Sequence, residues 1–272
     1  MKNTIHHLMT ALIVLSSFAS AQPAVIGHRG ASAAAPENTI ASIKEAWKEG
    51  ADGTEVDIYL TKDGRIVTIH DRSTKRTAGT DLPVEEQTLE DLRKLDAGSW
   101  KDAKWKGERI PTLEESLAAI PDGKIVYIEI KGGPEMLPEL KRILDASKKP
   151  KAEIFLIDFK IGNLIKAEPL FPDIRKLWIV GAKRDKETKE KVYPEIGGLI
   201  EKAKAEGLDG LDLEQGFPLD DAAAAKITQQ GLLLAVWTVN APEMVSKWVR
   251  LGADAITTDR PRFVRECLPA KN

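Results

Sequence analysis

One cysteine, Cys267, and four histidines are all that the 272 residues contain of these two side chains. A lone cysteine excludes an internal disulfide, so stability has to come from packing. No histidine lies near Cys267 in sequence, which makes it a small hydrophobe near the C-terminus rather than a nucleophile. An excess of one charge is also missing. The 40 Lys and Arg stand against 42 Asp and Glu, for a net charge of −2, which argues against a general nucleic-acid or anionic-membrane binder. No apolar run reaches the roughly 18–20 residues that a membrane-spanning helix needs. The stretch Leu8 to Phe18 follows Lys2 and precedes Ala19-Ser20-Ala21, the small-x-small pattern of a secretory leader. Residues 1–21 are therefore expected to be cleaved near Ala21. No Cys follows to carry a lipid, so the expectation is an exported protein, periplasmic or secreted, without a stable membrane anchor.

His6 and His7 fall in that leader, which leaves His28 and His70. Each ends a predicted strand beside charged residues, in His28-Arg29-Gly30 and His70-Asp71. Histidine is the side chain best suited to moving protons near neutral pH. Two of them kept in such company point to chemistry rather than to core filling.

Residues 22–272 alternate regularly. Strands are predicted at Val25–His28, Thr54–Leu60, Ile125–Ile130, Ile154–Ile157, Leu177–Val180, Leu208–Leu213, Leu232–Val239 and Ala255–Thr258. Helical patterns lie between them. Ile40, Ile43 and Trp47 share a face after Pro36 at a first-turn position, and Leu113, Leu117 and Ile120 follow Thr112, whose spacing to Glu115 makes a capping box. Leu137, Leu140 and Leu144 recur similarly, as do Met244 and Trp248 after Pro242. Eight strands each followed by a helix predict an α/β fold of the (β/α)8 barrel type in one domain, residues 22–272, with an open doubly wound sheet as the competing arrangement. A weak internal repeat supports closure. Glu49-Gly50-Ala51-Asp52-Gly53-Thr54-Glu55-Val56-Asp57, Glu206-Gly207-Leu208-Asp209-Gly210-Leu211-Asp212-Leu213-Glu214 and Leu251-Gly252-Ala253-Asp254-Ala255-Ile256-Thr257-Thr258-Asp259 share a plan, each running from a helix end into a strand that leads to acids.

Two segments break the alternation. Thr61 to Arg65 is too short for a parallel crossover, so Ile66–His70 must return as a hairpin that brings His70 beside Asp57. Residues 71–111 are too long for a simple loop and predict a small insertion after the second barrel strand, over the barrel mouth.

Side chains two apart on a strand point the same way. Glu55 and Asp57 therefore share one face and Glu129 and Lys131 another, while Val56, Ile128 and Ile130 point oppositely toward the helices. The charged set then faces the barrel interior near its C-terminal mouth, where such barrels place their active sites. Three carboxylates converging there without a cation would repel one another and suffer desolvation. A hard divalent metal, Mg2+ or Ca2+, held by Glu55, Asp57 and Glu129 resolves this. A salt-bridge network with Arg29 and Lys131 is the alternative. A metal, an Arg, a Lys and two histidines suit a phosphodiester, with one histidine taking a proton from the nucleophile and the other donating one to the leaving alkoxide.

The ordered motifs are His28-Arg29-Gly30, Pro36-Glu37-Asn38-Thr39, Glu55-x-Asp57, Thr61-Lys62-Asp63-Gly64, His70-Asp71, Pro111-Thr112-Leu113 and Glu129-Ile130-Lys131. Together with Asp96-Ala97-Gly98-Ser99-Trp100 and Trp237-Thr238-Val239-Asn240, they resemble the glycerophosphodiester phosphodiesterase family from Val25 to about Pro261. The resemblance implies a (β/α)8 barrel with an insertion and metal-dependent hydrolysis of small-molecule glycerophosphodiesters to sn-glycerol 3-phosphate and an alcohol. It implies His28 and His70 as general acid and base, Glu55, Asp57 and Glu129 as metal ligands, and Arg29 and Lys131 as phosphate contacts. Glu37 either orients Arg29 or begins a helix, and Trp237 either meets substrate or fills the core. Two departures touch substrate detail: Ala33-Ala34-Ala35 stands where the family often has Gly, and Asp158-Phe159 where Ser-Phe is frequent. Alternative readings are a lysophospholipase D-type lipid phosphodiesterase and a non-catalytic periplasmic binding protein; no protein partner is inferred.

Overall fold

β-Branched and aliphatic runs become strands, and the amphipathic patterns between them become helices, in a computed structural model that describes residues 22–269. The proposed leader, with His6 and His7, lies outside the described residues. The first half contains β1 (Ala24–Gly27), α1 (Ile40–Lys48), β2 (Gly53–Leu60), β3 (Ile66–Thr68), α2 (Lys75–Ala78), α3 (Leu89–Arg93), α4 (Leu113–Ala118), β4 (Ile125–Ile130) and α5 (Leu137–Ala146). Then follow β5 (Ile154–Asp158), α6 (Ile161–Ala167), β6 (Arg175–Val180), the small hairpin β7 (Lys183–Arg184) and β8 (Lys191–Val192), and α7 (Ile196–Ala205). The chain ends with β9 (Gly210–Glu214), α8 (Asp221–Gln229), β10 (Leu233–Trp237), α9 (Pro242–Arg250), β11 (Ala255–Thr258) and α10 (Pro261–Cys267).

Eight of the strands are parallel neighbours in the order β1-β2-β4-β5-β6-β9-β10-β11, and the ring closes where Ala24–Gly27 pairs with Ala255–Thr258. This is a (β/α)8 TIM barrel, and closure rules out the open sheet. Antiparallel β3 extends β2 as the short turn required, with Ile58 opposite Thr68. That register places Ile69 opposite Asp57, and the Ile69 N–H donates to the Asp57 carbonyl at 3.0 Å. Pro36 does not begin α1 as the sequence suggested. Asn38 takes a left-handed conformation (φ 56°), so the helix starts only after the Thr39 cap, whose side chain accepts from Ser42 N–H. The Thr112–Glu115 capping box on α4 is present as expected.

Strand alternation sorts the core into two layers. Val56, Ile58, Val126, Ile128, Ile130 and Leu156 pack outward with helix residues such as Leu113, Leu140 and Trp248. Ile26, Tyr127, Phe155, Ile157, Leu177 and Ile179 fill the barrel interior, with the Tyr127 and Phe155 ring centres 4.8 Å apart. Stacked layers of this kind make the barrel a packed core rather than a pore.

The internal repeat acquires a physical reason. The Asp52 carboxylate accepts from Val25 N–H at 2.9 Å, Asp209 from Lys176 N–H at 2.7 Å and Asp254 from Leu234 N–H at 2.8 Å. Each aspartate satisfies the otherwise orphaned donor where a neighbouring barrel strand begins. In residues 71–111, Val84, Leu92, Ala97 and Ile110 bury a small apolar cluster with Val67 and Ile69 of the hairpin. Asp96 organises the Asp96–Trp100 turn by accepting from the N–H groups of Gly98, Ser99 and Gly107.

Candidate active site

At the C-terminal end of β1, His28, Arg29 and Gly30 turn sharply back toward α1. Arg29 and Gly30 both have positive φ, 55° and 83°, and a Cβ on Gly30 would lie within 2.6 Å of the Ser42 Cβ. Only glycine meets both demands. Gly30→Ala should therefore cost about 3 kcal/mol or more, read as a lowered midpoint in a denaturant titration. An unchanged midpoint would mean that the turn is free to move.

This turn delivers the backbone N–H of Arg29 to the Glu55 carboxylate at 2.8 Å. Its guanidinium meets Glu37 at 2.9 Å and Asp57 at 3.2 Å. Glu37 lies ahead of α1, so of its two expected roles it orients Arg29, and it is gripped from the other side by Arg76 of the insertion. Asn38, unremarked in the sequence beyond its motif, donates to Asp57 at 2.8 Å and accepts from the Asp57 N–H at 3.1 Å. Parallel pairing sets Asp57 beside Glu129. Lys131 reaches Glu129 at 2.7 Å and Asp57 at 3.4 Å.

Glu55, Asp57 and Glu129 are all buried, and each offers a ligand oxygen within 4.8 Å of the others. The expected alternative, a salt-bridge network, is present but does not complete the cluster. Three carboxylates face the two cations Arg29 and Lys131, and Arg29 is shared with Glu37. Glu55 Oε1 and Asp57 Oδ1 remain buried with no hydrogen-bond partner. Burial, then Asp57 and Glu129, raises Glu55 well above the ordinary carboxylate range, and burial with Asp57 pushes Glu129 up to about 7. Asp57 goes the other way: against its burial, Arg29 and Lys131 hold it low and ionised. Orphaned acceptors in a site short of positive charge fit a divalent metal with oxygen ligands.

Both histidines carry a carboxylate on Nδ1. His28 Nδ1 lies 2.7 Å from Asp259, and His70 Nδ1 lies 2.6 Å from Asp71. An ionised carboxylate can only accept, so Nδ1 bears the proton and Nε2 is left for other chemistry. Arg76 and His70 draw Asp71 down to about 2. Hydrogen bonds from His28, Ser32 and Asn240 overcome burial and keep Asp259 well below the usual carboxylate range. Burial, assisted by Arg29 and Lys131, lowers His70 itself.

His28, Arg29, Glu55, His70, Glu129 and Lys131 line one cavity of about 80 Å³. Asp57 lies beneath it, fully buried. Trp237, at the end of β10, borders the same cavity, donates to the Asp212 carbonyl at 3.2 Å and meets Phe159 edge-on at 5.3 Å. It is therefore a wall residue, not core filling. The sequence assigns no role to Asp259, Asn240 or Asp212, although Asn240 stands in the Trp237-Thr238-Val239-Asn240 motif and Asp212 in the repeat. Asp259 stood in the repeat as an acid beyond a strand end, and only that pattern could have pointed to it. Asp212 is buried in the barrel, and burial with Glu129 pushes it up to about 8.

The family model described as glycerophosphoryl diester phosphodiesterase matches residues 28–263. A glycerophosphodiester phosphodiesterase of Caldanaerobacter subterraneus subsp. tengcongensis is 35% identical over 87% of this chain and 94% of its own. Among solved structures, a phosphodiesterase of Oleispira antarctica in complex with the product sn-glycerol-3-phosphate superposes with a TM-score of 0.78. The alignment is 28% identical and covers 90% of this chain and 96% of that one. A glycerophosphodiester phosphodiesterase from Thermotoga maritima is similar with a TM-score of 0.73, at 27% identity over 91% and 99% of the two chains.

Proposed function

The chain belongs to the glycerophosphoryl diester phosphodiesterase family and is a phosphoric diester hydrolase; from that premise we propose that it cleaves glycerophosphodiesters to sn-glycerol 3-phosphate and an alcohol by paired histidine acid–base catalysis at a divalent metal. The observation that carries this reading is the arrangement of His28 and His70. Each is fixed by a carboxylate on Nδ1, and both border the cavity that holds Arg29, Lys131 and the acidic triad.

Glu55, Asp57 and Glu129 would hold Mg2+ or Ca2+, which when bound supplies positive charge to the phosphate and its growing transition-state charge. Arg29 and Lys131 contact the non-bridging oxygens, and their partners Glu37, Asp57 and Glu129 keep both aimed into the cavity. One imidazole Nε2 removes the proton of the attacking hydroxyl. The other, entering as the imidazolium with both ring nitrogens protonated, gives its Nε2 proton to the alkoxide as the bond from phosphorus to that oxygen breaks, since the alkoxide is a poor leaving group without it. Asp259 and Asp71 fix the ring orientations and stabilise the imidazolium that the base becomes and the acid starts from.

A lipid substrate is the second reading, favoured by an apolar groove of about 540 Å³ beside the cavity. Phe159 and Ile179 belong to both, and the groove continues along Trp178, Val180, Val192 and Tyr193. Phe159 and Val192 are among the few large apolar side chains exposed in the described residues. Incubation with glycerophosphocholine, glycerophosphoethanolamine and lysophosphatidylcholine, with products separated, tests both readings. Release of sn-glycerol 3-phosphate from the first two is expected. Cleavage of lysophosphatidylcholine alone would transfer the assignment to the lipid, and no cleavage with either cation present would remove it.

A further inference from the structure

The barrel half facing the acidic triad contains two buried oxygens that the protein leaves unused. Asp212 stands on β9, across the ring from β2, and Thr257 on β11. Both line the catalytic cavity, at 2% and 3% exposure, and Asp212 Oδ1 and Thr257 Oγ1 have no hydrogen-bond partner. No salt bridge reaches Asp212 among the described residues, in contrast to Asp57 and Glu129. Folded proteins pair nearly all such groups, because a buried unpaired one costs stability. Two that border the same cavity are set for a ligand.

The chemistry of the pair selects the ligand group. Phosphate belongs with Arg29 and Lys131. Neither the buried Asp212 carboxyl nor a threonine hydroxyl brings the positive charge that a phosphate dianion needs. Alcohol hydroxyls suit the pair, since they donate to a carboxyl oxygen and accept from a threonine O–H. Ile157 and Ile179 supply the apolar surroundings in which such bonds discriminate strongly. We propose that Asp212 and Thr257 form the subsite that recognises the glycerol hydroxyls of the substrate. The assignment rests on the glycerophosphodiester reading, but its test does not depend on turnover.

Titration calorimetry of the full chain with saturating Mg2+ would compare sn-glycerol 3-phosphate with n-propyl phosphate, which has the same chain length and phosphate but neither hydroxyl. The unaltered protein should prefer the glycerol ester by about tenfold or more, and Thr257→Val and Asp212→Leu should each remove most of that preference while changing n-propyl phosphate affinity by no more than about twofold. Because both substitutions replace an unpaired buried polar group by an apolar one of similar size, thermal midpoints should hold or rise. Equal weakening toward both ligands, an undiminished preference in both variants, or no preference in the unaltered protein would each overturn the subsite. So would variants that weaken phosphocholine binding and keep the glycerol preference, since the pair would then serve a cationic headgroup. Diester hydrolysis by the unaltered protein is assayed separately. Glycerol preference without hydrolysis supports the subsite and refutes the catalytic reading, whereas hydrolysis without preference refutes the subsite alone.

Discussion

His28→Ala and His70→Ala are each expected to lower kcat for glycerophosphodiester hydrolysis by about 10³-fold, within the 10²–10⁴-fold that a positioned acid or base contributes. Neither should unfold the protein. Each side chain is partly exposed, and among the described residues its only hydrogen-bonded side-chain partner is the carboxylate on Nδ1. Asp259 keeps Ser32 and Asn240 when His28 is removed, and Asp71 keeps Arg76 when His70 is removed. The double variant should lose little beyond either single one, because an acid and a base serving one displacement act as a unit. Asp259→Asn should fall between, with kcat down about 10²-fold and KM nearly unchanged, since it disturbs the tautomer of His28 and touches no substrate. Steady-state rates paired with circular dichroism separate these outcomes. An alanine variant of either histidine that kept more than about a tenth of the activity would remove that ring from acid–base duty.

The barrel was readable because its grammar is local. Strand runs, the Thr112–Glu115 box and the short Thr61–Arg65 link each follow from a few neighbouring residues, and the eightfold alternation leaves closure as the natural arrangement. The triad was readable for the same reason: Glu55-x-Asp57 and Glu129-x-Lys131 declare a shared face by strand periodicity alone. What sequence could not deliver is whatever depends on which strands become neighbours around the ring. Asp259 reaches His28 across 231 positions, and only because β11 closes onto β1. Asp212 faces the triad because β9 lies opposite β2, a relation no linear spacing encodes. The start of α1 was misplaced because Asn38 spends its side chain on Asp57 and its backbone on a left-handed turn, so a tertiary contact overrode the usual helix-start reading of Pro36. Ion pairing at the triad likewise leaves room for a metal rather than excluding one. The cations settle Asp57, and the remaining oxygens of Glu55 and Asp57 ask for something more.

Because of that remainder, stability and catalysis should answer to the same cation. Glu129 has a folded value of about 7 against an ordinary 4.5, Asp212 about 8 against 3.8, and Glu55 is also raised. A carboxyl whose folded value exceeds its unfolded one leaves the folded state holding more protons in the interval between them, so stability drains away as pH rises through it. Burial also pushes Asp158 up to about 6 and raises Asp254, so His70, lowered from 6.5 and working the other way, is one group against five. The metal-free protein should therefore melt progressively lower between about pH 4.5 and pH 8. A divalent cation prefers the ionised carboxylates and should cancel the loss. At about a hundred times its dissociation constant it adds about 2.7 kcal/mol, or some 5–10 °C in a chain of this length, with a larger shift near pH 8 than near pH 5. Glu55→Gln and Glu129→Gln should raise the metal-free midpoint near pH 8 and abolish the cation-induced shift together with hydrolysis. Asp57→Asn should instead destabilise, because Arg29, Lys131 and Asn38 all depend on that carboxylate. EDTA should stop hydrolysis, and Mg2+ or Ca2+ should restore it over the same concentration range that raises the midpoint. A midpoint indifferent to both ions at every pH, with a rate indifferent to EDTA, would leave the triad as a salt-bridge cluster and nothing more.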